Sequence, residues 1–175
     1  KIEIHEGAEY QVLTNAPPYQ TQLDIYDYWK AVGGMNMLPG TNRSQDRFTR
    51  ASFYVGVLPK DASHETALAG VFGIISNCAV PTGISLPDQP EISTTQWKSV
   101  SDQRERVYYF KVTEKPAILW VDLKEFDLYP GAPIMKLDIA NSNKVLVGNV
   151  IKDMKRSKGF TPMYQLTDDI IKAFT

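Results

Sequence analysis

The chain has one cysteine, Cys78, and two histidines, His5 and His64, in 175 residues. A lone cysteine excludes a disulfide within the chain and leaves the redox compartment unread. A Ser-His-Asp arrangement would need His5 or His64 as its base. His5 falls on the polar face of an expected strand, His64 at an expected helix start, and no Gly-x-Ser-x-Gly elbow accompanies either. The same three residues offer no metal-ligand spacing, and no Gly-rich phosphate loop is present, so no metal and no cofactor is expected. Charge of one sign is also lacking. With 19 basic and 20 acidic residues the net charge is −1, which provides no field to draw nucleic acid or an anionic membrane. No apolar run approaches roughly 18 residues, so neither a membrane span nor an export signal is expected in the chain as it stands. Small molecules and proteins remain as partners.

What the chain does contain is an ordinary apolar fraction, 43%, enough for one domain or a large part of one. Ile2 and Ile4 alternate with charged residues before Gly7, and Tyr10, Val12 and Thr14 alternate with Gln11, Leu13 and Asn15, which predicts a β-hairpin turning near Gly7. Apolar residues at helical spacing predict three helices. The first covers 21–32 and ends at Gly33-Gly34; the second covers about 45–58, is capped by Ser44 and stops at Pro59; the third runs from His64 to about Ala79, is capped by Ser63 and carries Cys78 on its apolar face. Residues 80–94, with Pro81, Gly83, Pro87 and Pro90, read as an ordered loop. Three strands rich in aromatic and β-branched residues follow at 95–101, 106–113 and 117–123, as an antiparallel meander. Near the end, 136–139 and 144–149 read as strands and 166–174 as a short helix. Helices grouped between strands favour an α+β fold over a doubly wound parallel sheet.

Two polar residues are notable for their positions. Asn15 closes a strand and is followed by Pro17 and Pro18, which hold the residues before them extended and present its amide at a strand end. Arg47 falls in the first turn of the second helix, where the macrodipole disfavours a cation by a few tenths of a kcal/mol to about 1 kcal/mol. By residue type alone Asn15 is equally a turn residue, and Arg47 equally a partner of Asp46 or a solvated side chain. Arg50, three residues on, shares a face with Arg47, so one of the two is free to turn inward. Cys78, in apolar surroundings, reads as a core residue with little thiolate.

These stretches together resemble a family. Val-Leu-Thr-Asn-x-Pro-x-Tyr at 12–19, Leu-Pro-Gly at 38–40, Arg-Phe-x-Arg-Ala-Ser-Phe at 47–53, Pro-Asp-Gln-Pro at 87–90, Thr-Gln-Trp at 95–97 and Arg-Val-Tyr-Tyr-Phe at 106–110 are similar to the choloylglycine hydrolase family of bile salt hydrolases and penicillin V acylases, most closely to its Gram-negative branch. The resemblance covers nearly the whole chain. It implies a cysteine N-terminal nucleophile amidase with a four-layer αββα sandwich of antiparallel sheets. It implies that the first mature residue of the enzyme, a cysteine, attacks an acyl amide with its own α-amino group as base. By the same resemblance, Asn15 matches an oxyanion-binding asparagine and Arg47 an active-site arginine beside the nucleophile. This chain starts at Lys1 and lacks that cysteine, so the match is to the C-terminal half: residues 1–175 are expected as a single partial domain, inactive alone, with the N-terminal half as partner and a small acylated amide as substrate. An export signal would then lie outside the chain, a periplasmic or secreted location is what the family implies, and a homo-oligomer is open. The alternative is a binding or structural module without catalysis. Because the meander carries apolar side chains on both faces, it needs a cover on both, and the three helices suffice for one.

Overall fold

The computed structural model describes residues 4–7, 11–88, 93–139, 142 and 144–159. Their backbone falls in two compact units, one within Lys1–Val100 and Val112–Glu114, the other within Ser101–Lys111 and Lys115–Thr175.

The first unit is built on three helices, α1 (Tyr19–Val32), α2 (Ser44–Val57) and α3 (His64–Asn77), with α2 packed against both α1 and α3. Helix α1 starts two residues earlier than its apolar spacing predicts, because the carbonyl of Pro18 accepts its first bond, from the Gln22 N–H. Phe48 of α2 is buried and meets the edge of Tyr19 of α1, with ring centroids 5.7 Å apart. A Cβ at Gly70 would come within 2.7 Å of the Leu58 side chain, so a glycine lets α3 approach the end of α2. Ser63 caps α3 as expected, accepting from the Thr66 N–H. Ser44 does not cap α2: the N-cap is Arg43, without a side-chain bond, and Ser44 is the first helical residue with its hydroxyl turned elsewhere. Helix α3 ends at Asn77, so Cys78, expected on its apolar face, is the C-cap residue, and its half-buried thiol donates to the Arg47 carbonyl at 3.4 Å.

The predicted hairpin is not found among the described residues. Residues 4–7 and 11–15 carry no ladder, and the rest of the hairpin lies outside the described residues. A strand is stable only when paired, and 11–18 is held by side chains of the first unit instead.

In the second unit the strand order is β2 (Val107–Val112), β3 (Leu119–Asp122), β5 (Gly148–Asn149), while β1 (Trp97–Asp102) falls mostly within the first. Strand β2 pairs antiparallel with β3, in a register that sets Tyr109 opposite Trp120. The two rings meet at a tilt of 47°, with centroids 5.9 Å apart. Strand β4 (Met135–Lys136) pairs antiparallel with β6 (Lys155–Arg156), while β5 runs parallel to β3. That parallel pair and β6 depart from the expected meander. The predicted strands at 136–139 and 144–149 shrink to two residues each, β6 was not expected, and the predicted helix at 166–174 lies outside the described residues. Gly148 has φ 76°, a left-handed value that an L side chain rarely adopts, and sits beside the Trp120 ring. Among the described residues no helix is long and apolar enough to cross a membrane.

Candidate active site

Asn15 and Arg47, 32 positions apart, are neighbours in the first unit. The Arg47 Nη2 donates to Asn15 Oδ1 at 3.0 Å, and the Ser44 hydroxyl donates to the same oxygen at 2.6 Å. Nη2 also donates to Ser44 Oγ at 3.1 Å, so the three side chains close a ring of hydrogen bonds in which every donor meets an acceptor. The ring fixes which way the amide points. A guanidinium has no acceptor, so the amide atom facing it is the carbonyl oxygen and the NH2 group is turned away. Asn15 is exposed, and its Nδ2 makes no hydrogen bond among the described residues.

Arg47 is neither solvated nor paired with Asp46. Its Nε donates to the Asn42 carbonyl at 3.1 Å, and the Asp46 carboxylate is taken by the Thr41 hydroxyl. Three neutral acceptors, Asn42 O, Asn15 Oδ1 and Ser44 Oγ, offset the unfavourable helix position, and the charge keeps no carboxylate partner among the described residues.

The backbone under Asn15 is secured by a buried amide that the sequence reading missed. Gln22 is 1% exposed and uses both amide protons and its carbonyl oxygen there. Its Nε2 donates to the carbonyls of Thr14 at 3.3 Å and Pro17 at 2.6 Å, while its Oε1 accepts from the Thr14 hydroxyl at 2.6 Å. The same hydroxyl lies 3.1 Å from the Ser44 carbonyl, which joins the Asn15 segment to the start of α2. Arg50, 8% exposed, is the arginine that turns inward: it donates to the carbonyls of Pro39 at 2.7 Å and Thr41 at 2.9 Å and to Asn77 Oδ1 at 3.0 Å. Through these bonds it anchors the loop that carries Asn42, the acceptor of Arg47. The signal for Gln22 was a polar residue directly before the apolar spacing of α1, and for Arg50 an Arg-x-x-Arg pair, but neither pattern says which partners a side chain finds.

Cys78 lies next to this network, half-buried. Burial pushes its thiol up, against the lowering pull of the Arg50 and Arg47 guanidinium groups, so little thiolate forms there. Among the described residues no group of three His, Cys, Asp or Glu is arranged to hold a metal.

An exposed amide donor beside an uncompensated guanidinium is suited to accept negative charge developing on an oxygen. A family model described as linear amide C–N hydrolases, choloylglycine hydrolase family, matches residues 1–148. The chain belongs to the choloylglycine hydrolase family. It is 40% identical over 177 residues to a penicillin V acylase of Pectobacterium atrosepticum, a match covering 91% of this chain and 46% of that protein. Among solved structures it is similar to penicillin V acylase from Agrobacterium tumefaciens, at 42% identity and a TM-score of 0.81, over 89% of this chain and 50% of that one. A conjugated bile acid hydrolase from Clostridium perfringens, solved in a mutant form, shares the fold at 20% identity and a TM-score of 0.53, over 66% of this chain and 41% of that one. The α+β fold of the N-terminal nucleophile hydrolases, implied by the resemblance, is thus the fold of this chain. The chain spans about half the length of these relatives.

Proposed function

We propose that this chain is the C-terminal part of a cysteine N-terminal nucleophile amidase that hydrolyses the N-acyl amide bond of conjugated bile salts, penicillin V or related acylated amines. The observation that carries the reading is the Asn15 amide, held by its oxygen with its NH2 outward. In the proposed reaction a cysteine thiolate from the N-terminal part attacks the amide carbonyl, and its α-amino group, with an ordinary pKa of about 7.7 to 8, takes the thiol proton. The Asn15 Nδ2 donates to the oxyanion, and the fixed charge of Arg47 favours both thiolate and oxyanion. The C–N bond breaks as the leaving amine recovers the proton, and water then hydrolyses the thioester to release the acid.

Two further observations support a partner carrying the nucleophile. The side chain of Cys78 is engaged by the Arg47 carbonyl and its thiol is pushed up, the opposite of an activated nucleophile. Buried apolar side chains are also few: among the described residues only Phe48, Val80, Leu119 and Val150 qualify, few for the core of the described part. Alone, the chain is expected to be inactive.

The test is to trap the acyl-enzyme. The complete enzyme, quenched during turnover of penicillin V or a glycine-conjugated bile salt and mapped by peptide mass spectrometry, should carry the acyl group on an N-terminal cysteine outside residues 1–175, with Cys78 unmodified. An acyl adduct on Cys78, or turnover by residues 1–175 alone, would contradict the reading.

A further inference from the structure

We propose that Ser44 is a positioning residue that locks the Asn15 amide in the orientation that turns its NH2 group outward; the proposal rests on the amidase reading above. The terminal torsion of an asparagine is broad and roughly two-fold, so a free amide exchanges its NH2 and carbonyl faces at little cost. An oxyanion site cannot tolerate that exchange, because a carbonyl oxygen aimed at the developing charge repels it. Asn15 is exposed, so packing does not hold it. Its orientation rests on the two hydrogen bonds that meet at Oδ1, and the shorter comes from Ser44, at 2.6 Å against 3.0 Å from Arg47.

Ser44 also gives that pair its direction. Its hydroxyl accepts from Arg47 Nη2 and passes its own proton to Asn15 Oδ1, so neither the guanidinium nor the amide can turn without breaking a bond to the serine. The backbone of Ser44 is tied in turn to the residue preceding Asn15, through the Thr14 hydroxyl at 3.1 Å from its carbonyl. An ordinary structural duty does not account for the hydroxyl. Helix α2 begins after Arg43 with no side-chain cap, and Ser44 Oγ bonds to no backbone N–H of the helix. Removing it should therefore leave α2 intact and the amide held by the Arg47 bond alone.

The experiment compares wild type, Ser44→Ala and Ser44→Thr in the complete enzyme, each with and without Asn15→Ala, on penicillin V or on a glycine-conjugated bile salt, whichever the wild type hydrolyses. Loss of one neutral hydrogen bond at the amide predicts a fall in kcat of about 3- to 10-fold for Ser44→Ala, with KM unchanged. Ser44→Thr, which keeps the hydroxyl, should recover most of it. In the Asn15→Ala background Ser44→Ala should change kcat by less than about two-fold, since residues acting as one unit are not additive. Full kcat in Ser44→Ala would overturn the proposal, as would the same loss persisting without the Asn15 amide. A loss of helical circular dichroism in Ser44→Ala would assign the hydroxyl to the fold and equally overturn it. A wild type that hydrolyses neither substrate would overturn the amidase reading, and this proposal with it.

Discussion

In the first unit the buried side chains include Gln22, Thr49 and Arg50 beside Phe48 and Val80, whereas in the second they are Leu119 and Val150 alone, among the described residues. The first unit thus encloses hydrogen-bonding groups: Gln22 reaches the carbonyls on either side of Asn15, and Arg50 those of the loop that precedes Arg47. The second encloses no polar side chain among the described residues, and both leave large apolar side chains outside: Leu13 is 78% exposed in the first and Leu128 73% in the second. Such groups gain roughly 1.5 to 3 kcal/mol each on burial. The difference teaches where each unit draws its order. The polar site is fixed by contacts internal to the first unit, while apolar surface is left to cover in both units.

The strongest way to break this comparison is to remove the inward arginine. Arg50→Ala strands the carbonyls of Pro39 and Thr41 and the Asn77 side chain, and should cost about 2 to 4 kcal/mol. The shift of the urea midpoint of the complete enzyme at unchanged slope measures it. A cost below about 0.5 kcal/mol, the range of ordinary surface changes, would mean that the buried polar bonds do not organise the first unit. A smaller effect sharpens the other side. Residues 1–175 produced alone should bind a hydrophobic fluorescent dye or aggregate, because exposed apolar patches beyond a few hundred Å² mark surfaces that something covers. A monomer with a sharp two-state melt and no dye binding would contradict the need for a cover, and would favour a module independent of any N-terminal part.

How much of this was legible in the sequence depends on how local each signal is. The three helices were, because apolar spacing, Ser63 and the Gly33 and Pro59 stops act within a few residues. The central strands were too, to within two residues at each end, since Tyr, Phe, Trp and Val crowd into short runs between turns. Pairing was not, because the parallel contact of β5 with β3 joins residues nearly 30 positions apart and depends on Gly148. At the site, Asn15 and Arg47 were singled out by their placement, before prolines and at the positive end of a helix. Their partners were not. Ser44 looked like a helix cap because Ser is common there, but it is the first helical residue, and its oxygen accepts from Arg47 Nη2 instead of from a helix N–H. Asp46 looked like the partner of Arg47, but Thr41 claims it.

The measurement that tests the account most directly is the turnover of Asn15→Ala in the complete enzyme. Removing one preorganised oxyanion donor should lower kcat by roughly 10²- to 10³-fold, with circular dichroism unchanged and KM little affected. Asn15→Asp, which replaces the NH2 donor with a charged acceptor, should be at least as severe. Near-normal kcat in a folded Asn15→Ala enzyme would contradict the account, because the outward amide would then do no work on the oxyanion.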